Sequence, residues 1–355
     1  MAFNIRAFAE NSARVRFDDV NYDAFVEQPL SSDALRTLRY MSDVESHTIC
    51  YLRDLLVTPS HKDPEITAFL THWAYEEFWH GEALDKVLRM HGIPADYGHI
   101  RNVRLAQGPR DRISPINQAV MANVIGEDFV AVHMSWGAIN EWSAHSAYAR
   151  MVEREDHPEL AKLLRRVQAQ ESRHLAFYAS QAKERLARSV RAQKLTRWAM
   201  RNFWGPVGST IEPRHETSFV LDYLLGGPKG GVHVERIDAK MDELPGMANL
   251  HLVRNAFGRF GVGPGATSAP RIRLHALPDQ VRLVGSRVQL EAGHAAGRAG
   301  QAAEAARQRA GAAAGSARQR AGQAADTARQ AAGQAAEVAR GAAEARDELP
   351  AGATG

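Results

Sequence analysis

The chain is poor in several things, and each shortage closes off a class of protein. It has one cysteine, Cys50, in 355 residues, so no internal disulfide can form and no structural thiolate zinc site can be assembled. No stretch approaches the roughly 18 uninterrupted apolar residues of a membrane span. The longest apolar-leaning segment, Pro115 to Trp136, is cut by Glu127 and Asp128, and no transmembrane segment is expected. The N-terminal MAFNIRAFAENSARVRFDD carries charges every few residues and has no apolar core, so it does not read as a secretory signal, and a cytoplasmic protein is expected. An excess of one charge is lacking too: 44 basic against 41 acidic residues leave +3, so any electropositive function requires clustering. No nucleic-acid-binding module is recognisable, and no nucleic acid partner is expected. What remains is 45% hydrophobic and 24% charged, the balance of an ordinary globular protein.

Strand-like alternation is almost missing, and from about Ser31 to Trp204 apolar residues recur at i, i+3, i+4 and i+7, which predicts an all-α body. The first long helix is expected from Ser31 or Ser32 to about Val57, before Pro59. The second runs from Pro64 to Gly92, the third from Ser114-Pro115 to about Glu155, and the fourth from Pro158 towards Arg188, with a fifth continuing to Trp204. Short turns join the first and second and the third and fourth, whereas a long linker spans Gly92 to Ser114. That is the connectivity of a ferritin-like four-helix bundle. Residues 205–292 are expected to add accessory helices, with candidates at His215–Leu225 and Val234–Leu244 and a linker at Gly261–Pro270. The final segment, 293–355, is a low-complexity, Ala-rich tail. Between Gln301 and Pro350 there are 21 alanines and no aromatic residue, and Arg307, Arg318, Arg329 and Arg340 recur every 11 residues. An 11-residue period returns each residue type to one helix face, so a partly helical extension is expected, with lipid-surface binding or desiccation protection as the alternatives.

Chemistry concentrates in two Glu-x-x-His pairs, Glu77 with His80 and Glu171 with His174, each placing both side chains on one helix face. The motif alone is weak, since the chain holds four copies where about one is expected by chance. Glu212-x-x-His215 contains Pro213, and Glu291-x-x-His294 lies at the edge of the tail. The other two gain weight from their partners. Glu45 falls in line with Leu38, Met41, Thr48, Leu52 and Leu55, and Glu141 with Met134, Ala138, Ala144 and Tyr148, so both acids lie on faces that must turn inward. Glu45 precedes Glu77 by 32 residues and Glu141 precedes Glu171 by 30, so the body reads as two similar hairpins around a pseudo-twofold site. Four carboxylates gathered in a dry core cost several kcal/mol per ion or must take up protons. Two divalent cations would neutralise them, and two imidazoles complete an oxygen and nitrogen shell suited to iron or manganese. The expected metal ligands are Glu45, Glu77, His80, Glu141, Glu171 and His174.

On these residues, the segment from about Ser31 to Arg188 resembles the ferritin-like di-iron carboxylate superfamily, and its EExxH and ExxH helices resemble the acyl-carrier-protein desaturase branch. The resemblance implies two iron ions, with manganese or a mixed pair as substitutes. It implies bridging roles for Glu77 and Glu171 and terminal roles for Glu45 and Glu141, with His80 and His174 binding one iron each. It further implies an oxygen-dependent oxidoreductase, O2 and an external electron donor as partners, and desaturation of a fatty acyl chain; hydroxylation and N-oxygenation are sibling outcomes. The sequence departs from plant-type desaturases at Ala144, where a threonine is usual, and Ser143 or Thr48 would have to take its place.

A ferroxidase or iron-handling protein, or a metal-stabilised scaffold with an interaction tail, would use the same ligands. A wet, open site would favour iron handling, whereas a deep apolar pocket would favour an enzyme. His145, four residues after Glu141, is expected either as an extra ligand or as a hydrogen-bonded buried residue beside the metals. Glu76 reads as solvated or as a neighbour of the ligands, and Glu127, about 21 Å along the helix axis from Glu141, lies too far away to share the site. The aromatic residues Trp73, Trp79, Trp136, Trp142, Tyr148, Phe177 and Tyr178 would pack the core or wall a substrate channel. Seven basic residues against one acid between Lys183 and Arg201 form a stripe that would dock an acyl carrier protein, rest on anionic lipid, or simply face solvent. A homodimer is expected.

Overall fold

A computed structural model describes residues 3–262 and Gly333. The expected repeat tail, apart from Gly333, and the linker beyond Val262 lie outside the described residues. The fold is all-α: among the described residues there are twelve named α-helices, one short 3-10 turn and no strand. No described helix is long and apolar enough to cross a membrane.

Four long helices carry the expected ligands. Helix α3 (Ser32–Leu55) starts where the Ser31 hydroxyl accepts a hydrogen bond from the Ala34 backbone at 3.1 Å. A 3-10 turn, Pro59–Lys62, leads to α4 (Pro64–Met90), which Asp63 caps and Pro64 opens. Helix α7 (Asp128–Arg154) is followed after three residues by α8 (Pro158–Arg188), capped by the His157 ring. Helix α3 packs along α4 and α7 along α8, and α4 also meets α8. The apolar stripes meet in a single core that includes Leu38, Leu70, Leu84, Met134, Leu164 and Phe177. Such close-packed interiors fix side-chain positions to fractions of an ångström, which a multi-ligand site requires.

The flanking elements close this framework. At the N-terminus, α1 (Ile5–Asn11) and α2 (Ala24–Glu27) belong to an arm packed on α4. Helix α9 (Val190–Phe203) lies against α7 and α8. Beyond it, α10 (Arg214–Leu225) packs on α3 and α7, α11 (Gly227–Asp242) on α7, and α12 (Leu252–Phe260) on α10 and α11.

Three expectations need correction. The single helix expected from Ser114 to Glu155 is two, α6 (Arg110–Ile125) and α7, because Gly126 takes φ of 78°, a left-handed conformation that ends one helix and redirects the chain. The Gly92–Ser114 linker contains a helix of its own, α5 (Tyr97–Ala106), capped by Asp96, and also the start of α6. Helix α11 begins at Gly227 rather than Val234: in GGPKGG, Pro228 sits in the first turn, where its missing N–H costs nothing.

Candidate metal centre

The six expected ligands come from the middle of the four long helices and converge. All are nearly withdrawn from solvent, with exposures of 7% for Glu45, 4% for Glu77, 5% for Glu141, 1% for Glu171 and 0% for both His80 and His174. They fall into two overlapping groups able to hold a metal ion. Glu45, Glu77, His80 and Glu171 form one, and Glu77, Glu141, Glu171 and His174 the other, with the donor atoms of each group within 4.8 Å of one another.

The atoms show how the two groups share residues. His80 Nδ1 lies 3.1 Å from Glu171 Oε1, 3.7 Å from Glu77 Oε2 and 4.0 Å from Glu45 Oε2. His174 Nδ1 lies 3.1 Å from Glu77 Oε1, 3.3 Å from Glu171 Oε2 and 3.9 Å from Glu141 Oε2. Glu77 and Glu171 therefore each turn one oxygen to each group, while Glu45 and Glu141 each serve one. His80 Nδ1 and Glu171 Oε1 are buried, 3.1 Å apart, yet no aligned hydrogen bond satisfies either. Two lone-pair donors facing one point without hydrogen-bond geometry is what ligands of a common cation look like, so the residues fit a metal.

Electrostatics agree. Burial, followed by repulsion from Glu77, pushes the Glu45 carboxyl well above its ordinary range, and burial with Glu171 does the same to Glu141. Burial also opposes ionisation of Glu77 and Glu171, but their polar neighbours override it: Glu45, His174 and His80 hold Glu77 well below its usual value, and proximity to the two imidazoles holds Glu171 low despite repulsion from Glu77. Burial alone would depress the imidazoles, yet the surrounding carboxylates raise His80 to about 9 and His174 well above its normal value. Protons thus do, in the metal-free cluster, the neutralising work that cations would otherwise do.

The neighbouring groups orient the ligands. His80 Nε2 donates to Gln170 Oε1 and His174 Nε2 to Glu76 Oε2, both at 2.8 Å, so in each ring Nδ1 is the atom left facing the carboxylates. Tyr148 donates its hydroxyl to Glu45 Oε1, and Trp73 donates its indole N–H to Glu141 Oε1 at 3.1 Å. The N-terminal arm joins in through the backbone of Ala13. The Ala13 N–H donates to Glu76 Oε1 at 3.1 Å, and its carbonyl accepts from Gln170 Nε2 at 2.8 Å. Glu76, fully buried, also takes a hydrogen bond from Arg173 at 2.7 Å.

The two ends of the cluster differ in their surroundings. Beside Glu141, Trp73, Phe69, Phe177 and Tyr178 pack ring against ring, and Tyr178 lies so close to Gly137 that a Cβ there would meet its ring at 2.2 Å. Beside Glu45, a narrow cavity of about 80 Å³ is lined by apolar residues including Val44, Ala144, Ala147, Val220 and Leu221, with Glu45 and Tyr148 also in its wall.

Other expected residues fall elsewhere. His145 is in neither group; half-buried, it lines a separate cleft with Trp142, His233 and Arg236, and burial lowers its pKa. Ser143 commits its hydroxyl to the Ile139 carbonyl at 2.7 Å, while Thr48 is buried on α3. Glu127 stands at the start of α7 without a capping bond, and Glu291 is outside the described residues. In the basic stripe, Arg185 pairs with Asp63, Arg188 with Glu184 and Arg191 with Asp128, and Arg197 bonds the Ala248 carbonyl. Lys183, Lys194 and Arg201 remain exposed with no ion pair among the described residues.

Sequence reasoning missed the roles of Gln170 and Ala13 and left Glu76 undecided. One signal was available: Glu76 and Gln170 occupy equivalent positions, each immediately before a shared carboxylate. In comparisons with known proteins, no family model, no curated protein and no solved structure matches this chain.

Proposed function

We propose that the protein is an oxygen-dependent dimetal oxidoreductase of ferritin-like type, with iron as the resident metal, that acts on a slender apolar substrate such as an acyl chain. One observation carries this: two buried Glu/His groups share Glu77 and Glu171, and the Glu45 end of the cluster opens on an apolar cavity. A paired iron centre supplies reduction of O2 at the expense of an external electron donor and the substrate.

The chain's own residues supply the rest. Glu77 and Glu171 would be shared between the two ions, and Glu45 and Glu141 would each serve one. Tyr148, hydrogen-bonded to Glu45 and lining the cavity, orients that carboxylate where substrate and metal meet. Val44, Val220 and Leu221 exclude water and match an unbranched hydrocarbon segment, since roughly 25 cal/mol per Å² of buried apolar surface favours such a ligand over a polar one. With Ala144 in place of a hydroxyl and Ser143 turned to the backbone, the Tyr148 hydroxyl is the proton-bearing group nearest the cavity end of the cluster. An iron-storage role accords poorly with ligands this withdrawn from water. Docking of an acyl carrier protein would fall to Lys183, Lys194 and Arg201.

The test loads metal-free protein with ferrous iron, adds a reductant and follows O2 uptake with and without medium-chain acyl substrates. Two irons per chain, substrate-dependent O2 uptake and a product that has lost two hydrogens or gained an oxygen support the proposal. Iron oxidised far beyond two per chain without any substrate effect would assign iron handling instead. No bound metal would sink both.

A further inference from the structure

The two metal positions are built from matching ligands, yet the groups behind them are not the same. Each position has one histidine, one carboxylate of its own and one oxygen from each shared carboxylate. Each unshared carboxylate takes one neutral donor, Tyr148 on Glu45 and Trp73 on Glu141. Even the hydrogen bonds behind the imidazoles have equal length, 2.8 Å. The difference is the acceptor: His80 donates to the amide oxygen of Gln170, and His174 donates to the carboxylate of Glu76. The Gln170 orientation is fixed, because its NH2 must face the Ala13 carbonyl.

A carboxylate accepting the Nε2 proton draws it away and leaves more electron density at Nδ1 for a metal; an amide does so far less. The Arg173 guanidinium pairs with Glu76 and tempers this. Arg173 is one-third exposed to water whereas Glu76 is fully buried, and His174 still donates to a carboxylate where His80 donates to an amide.

From this single exchange of Glu for Gln we infer that the two positions are unequal. The one formed with Glu141 and His174 takes up a divalent ion first and at least tenfold more tightly than the one formed with Glu45 and His80. The factor is the lower end of the roughly 10–100-fold by which such outer partners change metal affinity. The weaker position is then the one whose carboxylate lines the apolar cavity, so the looser ion sits beside the substrate space.

The inference rests on the dimetal reading, and a titration separates the two. Metal-free full-length protein is titrated with Mn2+ and followed by electron paramagnetic resonance, which distinguishes isolated from magnetically coupled ions. Two steps are expected, with an isolated-ion signal at the first equivalent that becomes coupled at the second. Glu76→Gln should weaken the first step about tenfold or more and merge the two, and Gln170→Glu should strengthen the second. His174→Ala should abolish the first step and His80→Ala should leave it in place. A merely structural role for these partners would not move the steps in opposite directions with near-isosteric exchanges. A single step in the parent protein, a first step indifferent to Glu76→Gln, or a first step lost in His80→Ala would overturn the inference while leaving the dimetal centre intact. No uptake of Mn2+ or Fe2+ by any form would overturn the dimetal centre, and the inference with it.

Discussion

The α3–α4 and α7–α8 hairpins present the same Glu and Glu-x-x-His pattern, yet the two ends of the cluster they form have different surroundings. At the Glu141 end, Phe69, Trp73, Phe177 and Tyr178 fill the space, and Gly137 lets the Tyr178 ring sit against the α7 backbone. At the Glu45 end, the small residues Ala144 and Ala147 leave a gap that α10 roofs with Val220 and Leu221. Near-symmetry gathers the charge; the departure from symmetry leaves a cavity at the Glu45 end.

Breaking what the hairpins share should have the largest effect. Glu77→Ala or Glu171→Ala removes an oxygen from both groups at once, so either variant should lose both tightly held ions. Glu45→Gln should lose one, and elemental analysis of purified variants distinguishes the cases. Equal losses from Glu45 and Glu77 substitutions would contradict the shared arrangement.

A smaller effect should separate the two ends. Ala144→Phe fills the cavity and should weaken binding of an apolar ligand by tenfold or more while metal content holds, as read by ligand titration. Gly137→Ala, at the packed end, drives a methyl into the buried Tyr178 ring and should cost about 1–3 kcal/mol of stability, measured by denaturant unfolding. If Ala144→Phe destabilises as much as Gly137→Ala, the open end is not open.

The smallest expected effect is a pH dependence that sharpens the role of the protons. In metal-free protein, His80 is raised to about 9 by its carboxylate neighbours. Its contribution to stability is therefore complete below the ordinary imidazole value of about 6.5 and is lost as pH rises through about 9. Metal-loaded protein should show the opposite trend, because ligands must shed protons to bind metal and regain them on acidification. Thermal unfolding across that window should show Tm falling with pH for the metal-free form only; parallel curves would mean that the histidines do not charge.

The six residues of the buried Glu/His cluster were legible because such side chains on helices leave a periodic trace. Glu45, Glu77, Glu141 and Glu171 interrupt apolar stripes at positions where an acid is costly, and the i,i+3 histidines share their faces. The outer partners left a fainter trace. Glu76 stands one residue, about 100° of helix, away from Glu77, on what reads as an outward face. It is buried between His174 and Arg173 of α8 and the N-terminal arm, and the arm's irregular backbone near Ala13 has no periodicity to read. The helix break at Gly126 escaped for a related reason: one glycine within an apolar pattern is equally consistent with an unbroken helix, and only its positive φ decides. The accessory helix α12 and the true start of α11 were obscured by glycines that mark helix ends rather than loops.

The contacts of Ala13 have a practical corollary. Both are made by peptide groups, so no exchange of that side chain, proline apart, would sever them, and a screen of point variants would pass over the position in silence. Trimming the leading fifteen or so residues, by a protease or by a careless choice of expression boundary, would unfasten Glu76 and Gln170 together. Phe8 would leave the core with that segment, and the clasp behind both imidazoles would be lost.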